Sequence, residues 1–376
     1  MTTPVLGVRR LNRATLARQL LLERSTMDPV AALEHLLGLQ SQTAQSWYTA
    51  LWSRLDRFDA AAFGAQLENR SVVRIAAMRG TVHALSARDA IELRPLVQPV
   101  IERGTVGSHG RRWAGLDVAA VTEAARRILE AAPLTWADLG ARLRGGWPDF
   151  DADALAQVAR CYLPLVQTPP RGVWGKSGLA KHTTLEAWLG ESVASQPSLA
   201  AMALRYFAAF GPATVMDLQA WCGLTRLGEV IDALRPRLRV FRSDSGRELF
   251  DLPDAPLPPD DAPAPPRFLP DYDNVLLSFA DRTRLGAYDL FGLSGSANGV
   301  LPGWVLVDGF LRATWRIERP GAARVADSGA PAVLTVTALD RLSRAERTAV
   351  EREGSALARF VAGDSAPHQV RLVQAG

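Results

Sequence analysis

Apolar positions along this chain fall into stretches of helical period separated by short alternating runs, and that order occurs three times. It is clearest late in the chain. Residues 198–210 carry a helical apolar stripe that stops at Gly211-Pro212. Thr214 then caps a helix over 215–221, Cys222-Gly-Leu-Thr225 forms a short turn, and Thr225 caps a second helix from about 226 to 235. Two alternating runs, 238–242 and 247–251, flank Ser243-Asp-Ser-Gly246 as strand, turn and strand. Three helices followed by a hairpin are the order of a winged helix. A similar order precedes it, with helices over 118–131, 136–143 and about 153–165, then strands at 165–167, 172–174 and 182–184. The first occurrence is less regular: helices at 14–24, 28–39 and about 60–68, strands at 72–78 and 81–85, and a helix from Ser86 to about Val97.

Residues 254–266 hold six prolines and three aspartates and read as a linker. Beyond it the pattern predicts strands at 268–279, 304–308, 311–319, 333–338 and 369–373, with Asp308-Gly309 as a hairpin turn. Ser343 caps one charged amphipathic helix reaching about Val361. The predicted fold class is therefore α+β: three tandem winged-helix motifs at 1–110, 111–194 and 195–253, the linker at 254–266, and a β-rich, barrel-like domain at 267–376.

Composition narrows the chemistry. At 376 residues the chain can hold several cores, and its 48% apolar content is ordinary for a globular protein. No apolar run is long enough to span a bilayer and no basic-then-apolar leader opens the chain, so a cytoplasmic, nucleoid-associated location is expected, with no membrane partner. Cys161 and Cys222 are too few for a thiolate metal site and lie in apolar helices, which predicts buried free thiols. The five histidines show no paired ligand spacing, so neither metal nor cofactor is expected. Asp271, Asp273 and Asp281 read as capping residues rather than as a metal box, and Trp52, Trp174, Trp188, Trp221 and Trp315 as core. Residues 1–252 carry 30 basic against 24 acidic side chains, whereas residues 253–376 carry 13 against 15. The N-terminal two-thirds is thus the part suited to a polyanion.

The candidate chemistry centres on Gln40-Ser41-Gln42, which follows the apolar run that Asp28 caps and Pro29 opens. Past Gly38 the chain should leave the helix, and an extended exit would point Gln40 and Gln42 to one side. Paired glutamines are commonly surface or capping residues. Here they could also converge on a water or a substrate edge. In Met78-Arg-Gly-Thr-Val-His83, Gly80 permits a tight turn that would bring Arg79, Thr81 and His83 to a rim. A lone histidine in such a place is more often structural than an acid or base. Arg171, Lys176 and Lys181 fall close to the second hairpin, and Arg226 and Arg242 belong to the third unit. On duplex DNA the second helix of the third unit would enter the major groove, or the three units would together make phosphate contacts, although winged helices also serve as protein-binding scaffolds.

Leu36–Gln42 (Leu-Leu-Gly-Leu-Gln-Ser-Gln), Tyr48-Thr-Ala-Leu-Trp-Ser-Arg54, Met78–His83, Pro169-Pro-Arg-Gly-Val-Trp-Gly175, Leu269-Pro-Asp-Tyr-Asp-Asn274 and Val307-Asp-Gly-Phe-Leu-Arg-Ala-Thr-Trp-Arg316 span nearly the whole chain. Together they resemble the winged-helix DNA glycosylase superfamily typified by AlkZ and YcaQ, and the chain is similar to the AlkZ subgroup in having Gln-x-Gln rather than Gln-x-Asp. Its middle residue is Ser41, where that subgroup has an apolar residue. The resemblance implies that Gln40 and Gln42 carry catalysis, that three units embrace one duplex through phosphates as a monomer, and that the substrates are cationic alkylpurines, including bulky and crosslinking adducts made by antibiotics. Glutamine is a poor base, but it can hold and polarise a water, which suffices where alkylation has already activated the leaving purine. A strand-cleaving step would call for an amine, and Lys176 and Lys181 are the only lysines, so a monofunctional enzyme is expected. The contrasting expectation is a non-enzymatic DNA-binding protein or transcriptional regulator.

Overall fold

The computed structural model describes residues 3–286, 288, 301–318, 332–363 and 367–375. Its first part comprises strand β1 (Val5–Leu6) and helices α1 (Val8–Arg18) and α2 (Pro29–His35), then β2 (Leu39–Gln40), α3 (Trp47–Arg54) and α4 (Ala60–Glu68). There follow β3 (Val72–Ala76), a 3-10 turn (Met78–Gly80), β4 (Val82–Ser86), α5 (Ala87–Leu96) and α6 (Gln98–His109). The helix expected at 14–24 lies earlier, because Leu20 takes a left-handed φ of 56° just past α1. The helix expected at 28–39 stops at His35, and its last residue instead begins a strand.

Helices α7 (Val118–Ala131), α8 (Trp136–Arg144) and α9 (Ala152–Tyr162) follow the predicted periodicity, and Asp117, Thr135 and Asp151 cap them. After β5 (Leu165–Thr168), the strand expected at 172–174 is a series of turns around Gly172 and Gly175, both at positive φ. The chain returns as β6 (Lys181–Thr184) and α10 (Leu185–Leu189). Next come α11 (Leu199–Phe210), α12 (Val215–Cys222) with its Thr214–Asp217 capping box, α13 (Gly228–Leu234), and the hairpin β7 (Arg239–Ser243) and β8 (Glu248–Asp251). β1 adds to β7 in parallel, giving a three-stranded sheet.

The site is positioned by a sheet ordered β2-β4-β3-β5-β6, in which β3 pairs with β5 through Arg74↔Gln167 and Ile75↔Val166. Strands from the first and second sequence units therefore make one sheet rather than two separate wings. Because side chains alternate across a strand, its two faces enter different cores. Val73, Ile75, Leu85 and Val166 pack with Tyr206, Phe207, Phe210 and Trp221, whereas Leu39, Val72 and Ala84 pack with Leu33, Trp47, Tyr48 and Phe63.

The proline-rich segment is not a free tether. Its carbonyls accept hydrogen bonds from α1: Arg9 to Asp260, Arg10 to Leu257, Arg13 to Ala262 and Arg18 to Pro256, at 2.7–3.1 Å. Beyond it lie β9 (Arg267–Leu269), α14 (Asn274–Leu277), β10 (Gly303–Val307), β11 (Phe310–Glu318), β12 (Ala332–Ala338), α15 (Arg344–Ala362) and β13 (His368–Gln374). The single strand expected at 268–279 is thus β9 followed by a helical turn that Asp273 caps. Arg319, the end of another expected strand, lies outside the described residues. These strands form an open sheet, β13-β12-β11-β10-β9, and no closed barrel occurs among the described residues. β12 and β13 run parallel, with α15 between them in the chain.

Candidate functional site

The turn that delivers Gln40 is built from left-handed backbone. Leu37 has φ 57° and Gly38 φ 84°, and the Gly38 amide closes the helix end by donating to the Leu33 carbonyl at 2.9 Å. A Cβ on Gly38 would lie 2.3 Å from Leu85 Cδ2 and 2.8 Å from the Ala84 carbonyl, so only glycine fits. Asn274, far along the chain, clasps this turn by donating Nδ2 to the carbonyls of Leu36 (3.2 Å) and Gly38 (2.8 Å).

Gln40 then stands opposite His83 in the β2–β4 ladder. Since the Ser41 amide donates to Val82, Gln40 and His83 form the non-hydrogen-bonded pair, whose side chains approach most closely. Gln40 is 7% exposed and Ser41 is buried, whereas Gln42 lies past the strand end and is exposed. Alternation turns Ser41 to the opposite face. There its carbonyl accepts from Arg74 Nη2 at 2.7 Å and its hydroxyl meets Arg74 Nε at 3.4 Å. A polar residue at this middle position thus gives the buried Arg74 a partner that an apolar one would not.

Arg79 holds Gln40. Its Nη2 donates to Gln40 Oε1 at 2.8 Å and its Nη1 to the Trp221 carbonyl at 2.6 Å. Guanidinium only donates, so the atom facing it is the amide oxygen, and the N–H pair of Gln40 is turned away from Arg79. Arg79 reaches this position from a left-handed φ of 57° in the Met78–Gly80 turn. Gly223 at the end of α12 lets the turn approach, since a Cβ there would lie 3.2 Å from Arg79 Cα. Burial pulls the pKa of Arg79 down to about 10, which leaves it charged at neutral pH.

His83 is 1% exposed, and that burial takes it off any surface that could meet DNA. Desolvation, and after it the Arg79 charge, push its pKa down to about 3, so the ring is neutral. Its Nδ1 lies 2.9 Å from the Thr81 carbonyl, which makes Nδ1 the protonated nitrogen and leaves Nε2 as an acceptor. The Thr81 hydroxyl donates to Met78. Gln40, Arg79, Thr81 and His83 are therefore one constellation, whose Arg79, Thr81 and His83 are half-buried or buried rather than at an open rim.

The remaining expected DNA contacts lie elsewhere. Arg171 is half-buried and bonds the Gly178 carbonyl, and Lys176 is paired with Glu68 at 2.6 Å. Lys181 is exposed at the start of β6. In the third unit Arg226 is exposed at φ 61°, and Arg242 is exposed with a bond to the Gly246 carbonyl. Their neighbours Arg235 and Arg247 are tied to Glu248 and Asp281.

Sequence reading missed Arg74 and Asn274. Asn274 ends a motif quoted above, yet nothing local in it points across the fold to Gly38. In the same motif Asp271 accepts from the Thr43 hydroxyl at 2.6 Å, and Asp273 pairs with Arg54 besides capping α14. No group of three or more His, Cys, Asp or Glu side chains that could hold a metal ion occurs among the described residues. Cys161 and Cys222 are buried free thiols.

A family model described as DNA glycosylase AlkZ-like matches residues 33–360, which include both glutamines. Among solved structures, Streptomyces sahachiroi DNA glycosylase AlkZ is similar over 98% of this chain and 100% of that one, with a TM-score of 0.75. The two sequences are 21% identical, so the likeness is one of fold. No curated protein sequence matches the chain.

Proposed function

The chain belongs to the AlkZ-like DNA glycosylase family, and from that premise we propose a metal-independent, monofunctional enzyme that hydrolyses the N-glycosidic bond of cationic N7- or N3-alkylated purines in duplex DNA. The observation that carries this reading is the Arg79–Gln40 hydrogen bond, because it gives the two glutamines different tasks. With its oxygen turned to Arg79, Gln40 presents chiefly its N–H donors on the other side. Gln42, exposed past the strand, retains a carbonyl oxygen able to hold and polarise a water.

The chemistry such a pair can serve is narrow. Among the described residues the groups bonded to Gln40 and Ser41 include no carboxylate; one stands close by in Asp271, whose oxygen is engaged by the Thr43 hydroxyl next to Gln42. In an alkylated purine the leaving base already carries the positive charge. The C1′–N bond breaks with its electron pair going to the base, which departs neutral, and water oxygen bonds to C1′ before losing a proton to solvent. The enzyme's part is to align that water and restrain the nucleotide. Exposure of Gln42 suits bulky and crosslinking adducts, which can be reached at the protein surface without full extrusion of the base.

We read the three helix-and-strand groups as winged helices arranged around one duplex, with Arg226, Arg242 and Lys181 on its phosphates. The test is release of free base from a defined duplex carrying N7-methylguanine, without metal. The Gln40→Ala/Gln42→Ala protein should fold and bind DNA while excision drops by about 10²–10³-fold or more. Undiminished release by that variant would refute the assignment of the pair. Sequence-specific binding with no release from any alkylated duplex would favour a regulator instead.

A further inference from the structure

Arg79 has a second neighbourhood that the glutamine pair does not use. Its side chain walls a cavity of about 160 Å³ between α6, the Met78–Gly80 turn and α9. The other walls include Gly80, Gly104, Thr105, Ser108 and Arg160, and no carboxylate lines it. Arg160 is exposed and has no ion-pair partner among the described residues. The acids that open α9, Asp151 and Asp153, are both bound by Arg112 at 2.6–2.8 Å, so the positive charge at the cavity itself comes from Arg160 and Arg79. Gln157 also lines the cavity; its amide nitrogen donates to Asp153, so that donor is already engaged.

α6 itself is oddly made for an exposed helix. Gly104 and Gly107 lie inside it, where glycine weakens a helix relative to alanine. A Cβ at either position would meet nothing within 4 Å, so contacts inside the protein do not require glycine there. A side-chain-free helix surface beside an unpaired guanidinium and the exposed Ser108 hydroxyl is what the close approach of another molecule's backbone requires.

We propose that this cavity binds one phosphodiester of duplex DNA, gripped by Arg160 and the Ser108 hydroxyl against the bare surface at Gly104, with Arg79 as the wall shared with Gln40. A cationic alkylpurine is the wrong charge for it; an anion is the right one. The inference deepens the glycosylase reading and rests on it for the link to chemistry: a phosphate seated against Arg79 would fix the register of the strand relative to the amide that Arg79 orients.

The experiment measures binding of an undamaged duplex by fluorescence anisotropy across a salt series, for wild type, Arg160→Ala and Gly104→Leu. Both substitutions face solvent, so Tm should be unchanged or raised. Arg160→Ala should lower the slope of log K against log salt by about one and weaken binding by roughly tenfold. Gly104→Leu should weaken binding comparably while removing no charge. A scan of single methylphosphonate linkages should find one position whose neutralisation weakens the wild type but costs Arg160→Ala nothing further. Wild-type affinity and slope in both variants would overturn the site. So would a Tm rise with inorganic phosphate at constant ionic strength that Arg160→Ala abolishes without any change in DNA binding, since that marks a site for a free anion. A wild type that shows the slope change yet excises nothing would sink the glycosylase reading and leave the phosphate site standing.

Discussion

Arg54 and Arg79 are both withdrawn from solvent, and they are buried in opposite ways. Arg54 and Asp273 are each 0% exposed and meet through two hydrogen bonds of 2.7 and 2.8 Å, joining α3 to the C-terminal part of the chain. Arg79 has no carboxylate. It spends its donors on the Gln40 amide and the Trp221 carbonyl and remains a net positive charge. Arg74, beneath Ser41, is its counterpart on the other face: buried, likewise without an ion pair among the described residues, and with its pKa pushed down to about 10 by burial. A cation buried with its counter-ion is architecture. A cation buried with only neutral acceptors keeps its field for something else, and here two of them flank the Gln40–Gln42 segment.

The contrast can be broken experimentally at several strengths. Arg54→Ala leaves Asp273 buried and uncompensated, and should cost about 3–5 kcal/mol of stability in denaturant titration. Excision per folded molecule should change little, and a selective loss of turnover would move Arg54 into the site. Gln40→Glu gives Arg79 the carboxylate that Arg54 already has. Stability at neutral pH should hold or rise, while excision falls by about 10²–10³-fold because the N–H donors are gone. Full excision by the Gln40→Glu protein would show that the donors are not used.

A smaller effect reads Arg79 through its neighbour. The folded pKa of His83 lies near 3 against an ordinary 6.5, so between those values the unfolded chain binds a proton that the folded one refuses. Its contribution is complete above pH 6.5 and is lost as pH falls through that window, at about 1.4 kcal/mol per pH unit. His182, held near 4 chiefly by desolvation, adds a second such window. Arg79→Met should raise the pKa of His83 in an NMR titration and shorten its window. An unmoved pKa would mean that burial alone sets it.

What the sequence made legible was local. The stripe over 118–131, the Asp308-Gly309 turn between β10 and β11, and the Ser343 cap each rest on neighbouring residues, and each has its place in the fold. The unforeseen parts depend on distance. The pairing of β3 with β5 joins residues some ninety positions apart and leaves no mark on either strand's alternation. The helix expected over 28–39 is too long because Leu36, Leu37 and Leu39 continue an apolar run whose backbone turns left-handed at Leu37. α6 escapes the periodicity because its glycines interrupt the period that identifies a helix. Gln40 and Gln42 are visible as a pair, but their inequality is not, since it comes from Arg79 across a turn. His83 looks like a rim residue until the cores on both sides of its strand are known.

The clasp of Asn274 on Gly38 bears on how this protein could be divided. Both glutamines, their strand and both flanking arginines lie before residue 90, so a fragment ending at the proline-rich segment would look chemically complete. It would lack the hand that holds the turn delivering them. Heredity shuffles proteins by cutting between domains, yet here a cut that spares both glutamines would still remove the contact that holds their turn, so the C-terminal part and the proposed chemistry travel together.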